Sequence, residues 1–378
     1  MANNNDKKVL NVPALRFPEF TEEWQGEQLH EIAELSKGIG ISKEQLSENG
    51  TPCILYGELY TKYKSEIISK IISKTDIEKS KLKHSKQNDV IIPCSGETAI
   101  DIAVARCVPF DNVLLGGDLN VIRLHKYDGA FMAYQLNGKR KTDIAKLAQG
   151  VSVVHLYGEN LKSIKTYNPS LQEQQKIVKL LSMLDERLEV QNKIIEKLQS
   201  LIKGITILLT TKGKPNATIA QCLECHSSTL QESEVSHSGL YKVFGANGLI
   251  GYTDMPQMKG DAILIIKDGS GVGTASYAQG EFSVIGTLNY LTAINNYDLR
   301  YLYFVLSVFN FQSYKTGMAI PHIYFKDYGN AKIYCPPLSE QKRIANVLGK
   351  LESKLCLEQN ILASFNLQKR YLLGRMFI

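Results

Sequence analysis

With 378 residues and a mass of 42.3 kDa, the chain is long enough for two or three domains, and its 44% of hydrophobic residues excludes general disorder. No run approaches about eighteen uninterrupted apolar residues, which excludes a membrane-spanning helix, and seven scattered cysteines argue against a disulfide framework. The net charge of +6 is compatible with nucleic acid without naming it. The Asn- and Lys-rich start, with no apolar stretch behind it, leads us to expect a cytoplasmic protein.

In chain order, an N-terminal segment at 1–23 leads into a first globular module that closes at 167. Its strand candidates are Asp89–Pro93 and Val121–Leu124, and its turn candidates are Asn49-Gly50 and Gly116-Gly117. Lys70, Lys74, Lys79, Lys81, Lys83 and Lys86 cluster on what reads either as a solvated helical face or as a phosphate contact. A long helix at 168–213 follows, just after Pro169, with Glu173 in its first turn, where the helix dipole favours negative charge. Its apolar residues step by four and three through Ile177, Leu181, Leu184 and Leu188, then the polar Gln191, then Ile195, Leu198, Ile202, Ile205 and Leu209, which is a heptad seam.

A second module spans 214–335, with strand candidates Asp261–Ile266 and Tyr290–Ala293, turns at Asn247-Gly248 and Asp268-Gly269, and a helical run from Leu299 to Phe311. A second long helix at 336–378 repeats the first. It starts after Pro336-Pro337, carries Glu340 early, and has a seam of Ile344, Leu348, Leu351, Leu355, Glu358, Leu362 and Phe365. The polar Gln191 and Glu358 interrupt the two seams at the same place, where a polar residue costs stability but fixes register.

The repeat is the most informative feature. Gly150-Val-Ser-Val-Val-His155-Leu-Tyr157 matches Gly317-Met-Ala-Ile-Pro-His322-Ile-Tyr324, and Pro169 to Ile177 matches Pro336 to Ile344, without a gap and at one offset of 167. Two such halves are expected to pack about a pseudo-two-fold axis. The expected fold is therefore α+β: two globular modules joined by two long helices in an antiparallel coiled coil. The first helix is about 58 Å long at about 1.5 Å per residue.

Catalytic signatures are sparse. Asp268-Gly-Ser-Gly-Val-Gly273 is glycine-rich, but no phosphate-binding lysine motif accompanies it. Cys222-Leu-Glu-Cys225-His226 fits a c-type haem attachment spacing, and with His237 a zinc set, though buried reduced cysteines explain it as well. His155 and His322 recur with no acid or nucleophile recurring beside them. They suit a structural turn or a contact to phosphate or base. The modules are near neutral, with 17 Lys/Arg against 16 Asp/Glu over 24–150 and 8 against 9 over 214–334.

These residues carry a resemblance. Leu15-Arg-Phe-Pro-Glu-Phe20 with Trp24, Pro93-Cys-Ser-Gly-Glu-Thr-Ala99 followed by Leu115-Gly-Gly-Asp118, Tyr241 to Tyr252, the Gly269–Gly273 loop, and above all the Pro-Leu-x-Glu-Gln-x-x-Ile start of each long helix resemble the specificity subunit of type I restriction–modification enzymes. The first helix departs only in Ser170, where the second has Pro337. The resemblance implies two target-recognition domains, each reading half of a split double-stranded DNA sequence. It implies a non-catalytic chain that directs adenine methylation or restriction by partners: two modification subunits holding S-adenosylmethionine and a restriction subunit using ATP and Mg²⁺. The different-class alternative is a scaffold whose modules bind protein.

On this reading the DNA face takes Lys37, Ser95, Glu97, Thr98, Arg106, Ser152 and His155 from the first module. From the second it takes Asn247, Lys267, Ser270, Lys315, His322 and Lys326. Ile177, Leu181, Leu184, Leu188, Gln191, Ile195 and Leu198, with Ile344, Leu348, Leu351, Leu355, Glu358 and Leu362, form the helix seam and the partner-docking surface.

Overall fold

Asp89–Pro93 forms the strand its composition predicts, and all five of its residues are buried in a computed structural model that describes residues 10–78 and 82–378. Side chains alternate across a strand, so Val90 and Ile92 enter one core cluster and Ile91 another. The strand is thus covered on both faces, and an unbroken apolar run serves where a half-exposed strand would alternate. Ala262–Ile266 repeats this, with Ile263 and Ile265 in one core and Ala262, Leu264 and Ile266 in another.

The chain divides into two compact units, 1–191 with 361–378, and 192–360. In the first, a four-stranded antiparallel sheet has the order Ala33–Lys37, Leu119–Leu124, Asp89–Pro93, Arg106–Val108. In the second, the sheet Leu223–Ser227, Leu288–Ala293, Ala262–Ile266, Ala275–Ala278 has the same topology. Each sheet backs onto a nine-residue helix, Gly129–Asn137 or Leu299–Ser307, capped by Asp128 or Asp298. A further sheet covers the other face of each: five strands around Thr51–Ile54 in the first unit and four around Tyr241–Gly245 in the second. The repeat seen in the sequence is therefore a repeat of one fold.

The two long helices run Leu171–Thr210 and Leu338–Arg375. In the first unit Ile177 and Leu181, at the start of one helix, pack with Leu372, Leu373, Met376 and Phe377, at and just past the end of the other. In the second unit Ile205 and Leu209 pack with Ile344, Ala345, Leu348 and Leu351. Start meets end in both units, which is the antiparallel pairing expected. Ile177, Leu181, Leu184, Gln191, Ile195, Ile344 and Leu348 are buried, and Leu188, Leu198, Leu351, Leu355, Glu358 and Leu362 half-buried.

Two expectations need correction. The helix predicted over Leu299 to Phe311 ends at Ser307, and a 3-10 turn follows at Gln312–Tyr314. Phe311 turns back into the core, edge-on to Tyr328. The lysine cluster does not lie on a helical face. Lys74 sits in the strand Ser73–Thr75 and Lys83 in Lys83–His84, Lys70 and Lys86 are exposed, and Lys79 and Lys81 lie outside the described residues.

Candidate nucleic-acid interface

Each module is closed at a neck where its entering and leaving strands pair: Gln25–Gln28 with Lys165–Asn168, and Ala217–Thr218 with Lys332–Ile333. The motif that opens each long helix locks this neck. Gln174 accepts the backbone N–H of Asp128 at 2.9 Å through Oε1 and donates to the Pro169 carbonyl at 2.8 Å. Gln341 does the same with Asp298 and Pro336, at 2.9 and 2.8 Å. Both side chains are buried, so each satisfies two backbone groups that would otherwise be orphaned. Glu173 is held by Arg16 in a two-bond fork at 2.7 Å each and accepts Trp24 Nε1 at 3.3 Å; Glu340 pairs with Lys212. The most specific part of the sequence resemblance is thus internal machinery that fixes module to helix.

About three turns further along, the helices carry a second lock. In the first unit Asp185 accepts Tyr134 Oη at 2.7 Å and Lys369 Nζ at 2.6 Å, and Lys369 also bonds Glu66 at 2.5 Å. Burial and the neighbouring Glu66 raise the Asp185 carboxyl above its ordinary value, against the pull of Lys369. Glu352 stands at the matched position in the second unit, bonded to Tyr303 at 2.9 Å and paired with Arg300.

With the necks fixed, the returning segment of each module takes up the same conformation. Gln149 and His155 exchange two backbone hydrogen bonds, 2.9 and 2.7 Å, and Thr316 and His322 exchange two at 2.9 and 2.7 Å. Between them Gly150 (φ +112°) and Gly317 (φ +88°) occupy the left-handed region. A Cβ there would lie 2.2 Å from the Val153 carbonyl or 2.4 Å from the Ile320 carbonyl, so the turn requires glycine twice over. Val151, Val153, His155 and Tyr157 follow along this segment, as do Met318, Ile320, His322 and Tyr324 in the other. All are exposed except the half-buried His322.

In the first module Ser95 pairs with His155 across a two-stranded ladder, Ser95–Gly96 with Val154–His155. Lys37 lies 5.8 Å over the Tyr157 ring. In the second, the equivalent bridge joins Asp268 to His322, whose Nδ1 lies 2.6 Å from Asp268 Oδ1. Lys326 lies 5.5 Å over the Tyr324 ring. Lys267, Asp268, Asn289, Tyr324 and Lys326 line a cleft of about 360 Å³. Gly269 lets the glycine-rich loop turn (φ +97°) and donates its N–H to the Pro321 carbonyl, so this loop supports the His322 segment.

The candidate residues divide on these facts. Lys37, Ser95 and His155 come together in the first module, with Ser152 exposed on the adjoining turn. In the second, Lys267 and Lys326 line the cleft with Asp268, to which His322 is bridged, Lys315 is next to the bridging Thr316, and Ser270 is exposed on the adjoining glycine-rich loop. Ser95 is itself buried and bonded to Asp118 at 3.2 Å. Glu97 and Thr98 are exposed, and Thr98 caps the short helix Ala99–Ile102. Asn247 sits at the exposed tip of the hairpin between Tyr241–Gly245 and Gly248–Thr253. Arg106 is different: buried at 7% exposure, it donates to the carbonyls of Leu59, Ala105 and Tyr63. It braces the sheet edge from within, and we set it aside from the interface.

The cysteine motif does not gather ligands. Cys222 is buried against Cys335, Sγ to Sγ 3.7 Å, and His226 stacks on Tyr290 and bonds Thr292. Among the described residues no group of three or more His, Cys, Asp or Glu is placed to hold a metal. Asp118, Asp268 and the lysine-covered tyrosines are partners that inspection of the sequence missed. The lysines lie far from the tyrosine in one module and adjacent to it in the other, so no common spacing announces them.

Residues 21–200 and 220–366 match the family model described as the type I restriction modification DNA specificity domain. The fold is similar to that of the type I restriction–modification S subunit from M. genitalium, with 20% identity, TM-score 0.69, and 97% of this chain and 99% of that one covered. It is also similar to a chain from a structure concerned with complex assembly and conformational transition of the type I R-M system, with 16% identity, TM-score 0.55, and 93% and 96% covered.

Proposed function

Because this chain belongs to the type I restriction–modification DNA specificity family, whose business is recognition of a DNA sequence, we propose that each of its modules reads one half of a split double-stranded target and that the chain supplies address without chemistry. One observation carries this: the same glycine-anchored segment, with the same histidine and the same lysine-covered tyrosine, stands on both modules, while the surrounding loops differ. Two heads of one design with different faces suit two different half-sites. Lysines beside each segment meet phosphates, and polar side chains such as Ser270 and Asn247 reach base edges.

Methylation of adenine then belongs to two modification subunits with S-adenosylmethionine, and cleavage to restriction subunits with ATP and Mg²⁺. The first long helix offers such partners a second apolar stripe, outside the seam. Leu180, Met183 and Val190 are exposed on its first half and Ile194, Leu201 and Leu208 on its second, at heptad steps of three, four and seven. Ile177, Leu181, Ile344 and Leu348 are taken up in the core of their own unit, and this outer stripe adds a docking surface beside the seam. Family membership leaves the protein-binding scaffold without support.

Replacing one module by that of a relative is expected to change one half of the methylated site and leave the other intact, as read by methylated-base sequencing; a change in both halves would sink the two-headed reading. The purified chain, given DNA, S-adenosylmethionine, ATP and Mg²⁺ without partners, is expected neither to methylate nor to cut. DNA affinity of the assembled complex should fall steeply with salt, by a log–log slope of about −0.9 per neutralised phosphate.

A further inference from the structure

The two matched segments carry more apolar surface than a reader of polar base edges needs. Val151 and Met318, at the tips, are 96% and 105% exposed, and Val153 and Ile320 are exposed behind them. A single exposed valine means nothing. Here the same two positions are apolar and solvent-facing in both modules, on tips made rigid by paired hydrogen bonds and a glycine that no other residue replaces without a clash.

Below the tips stand His155 and Tyr157, or His322 and Tyr324, with the ammonium of Lys37 or Lys326 beside the tyrosine ring. Glu159 beside Tyr157 is paired with Lys162, Asp268 beside the second strip is bonded to His322, and the exposed Glu97, one step past the Gly96–Val154 pair, is the carboxylate that flanks the first strip. The strip thus presents apolar tips, an aromatic face and an available cation in that order. An apolar pocket on a folded protein has no use for the cation, and a closed phosphate backbone has no use for the apolar tip. An opened base step has both, the exposed faces of the bases and the flanking phosphates. Because the strip is the same where the half-sites differ, it acts on what every duplex shares, which is stacking and backbone.

Resting on the DNA-reading function above, we propose that the two strips are wedges: Val151 with Val153, and Met318 with Ile320, each enter the duplex and unstack one base step in their own half of the target. The wedge makes the local deformability of that step, such as the ease of opening a pyrimidine–purine step, part of the address without a base-edge contact.

The test uses the assembled complex with the modification subunits and its mapped target, with 2-aminopurine placed at successive positions in each half. Wild type is expected to raise the fluorescence at one step per half. Val151→Ser with Val153→Ser should abolish the rise in one half and keep it in the other, and Met318→Ser with Ile320→Ser should do the reverse. Each pair should lower affinity roughly tenfold, about 1.4 kcal/mol. Thermal melting should be unchanged, since the tips are already in water. The proposal is overturned if tight, specific binding comes with no rise at any step, or if the rise survives in both variants. It is also overturned if the variants shed modification subunits on gel filtration while the rise persists, which would make the strips a protein-docking surface. A wild-type complex that binds no DNA would instead bring down the function itself.

Discussion

Lys369→Met is expected to destabilise the first unit by about 3–5 kcal/mol, because it removes one charge from a buried set and strands the others. The side chains of Lys369, Glu66 and Asp185 are 14%, 7% and 7% exposed; Lys369 is the cation bonded to both carboxylates, with the buried Arg106 guanidinium acting on them without a bond. Without it two carboxylates share a site that already disfavours ionisation of Asp185, and one of them takes up a proton. The sign of the pH effect follows. The folded variant then binds a proton that the unfolded chain releases above the ordinary aspartate value of 3.8. The deficit relative to wild type should therefore shrink as pH falls from neutral toward that value. Urea unfolding across this range measures it. Replacing Lys369, Glu66 and Asp185 together with apolar residues of similar volume should recover most of the loss. A single-variant loss under about 1 kcal/mol would show the cluster to be solvated.

Leu181→Asp and Leu348→Asp should each cost a similar amount, about 3–5 kcal/mol, since both leucines are fully buried where module and helices meet. Leu181 packs with Trp24, Phe131 and Phe377, and Leu348 with Tyr301 and Phe304. The carboxylate would have no partner in either cluster. Co-purification with modification subunits should be lost in both. Leu188→Asp, at a half-buried seam position, should cost distinctly less. Equal melting of all three variants would count against a seam anchored at its ends.

The seam was legible in the sequence because a heptad is a local pattern, and so were the strands at Asp89–Pro93 and Ala262–Ile266, whose apolar runs need no long-range information. The repeat supplied topology as well, since matched segments fold alike. The candidate interface was legible in outline only. His322 finds Asp268 across 54 residues of sequence and Tyr157 finds Lys37 across 120, contacts made by sheet register that no local spacing encodes. Arg106 misled because a lone arginine near a glycine-rich turn looks like a phosphate ligand, whereas its surroundings offer three backbone carbonyls in need of donors. Glu173 was read as a helix-dipole residue; its main partner is Arg16, 157 positions away. Lys74 and Lys83 lie in strands rather than on a helical face, a distinction that a charge cluster, having no period of its own, does not carry.

The pairing of entering and leaving strands at each neck has a consequence for how such chains change over generations. Once the ladder at Gln25–Gln28 with Lys165–Asn168, or at Ala217–Thr218 with Lys332–Ile333, holds the two ends side by side, the chain between them is a closed loop that meets the long helices at fixed points such as Asp128 and Tyr134, or Asp298 and Tyr303, and whose contour length between those points the helices do not sense. Lengthening a closed loop is thermodynamically mild, about 0.6 kcal/mol for each doubling. Insertions, deletions and wholesale turnover of the reading surface can therefore accumulate inside the ring, while the buried glutamine of each helix continues to meet the same two backbone groups. New sequence preferences can arise by drift in the enclosed segment, with inheritance of the frame left undisturbed.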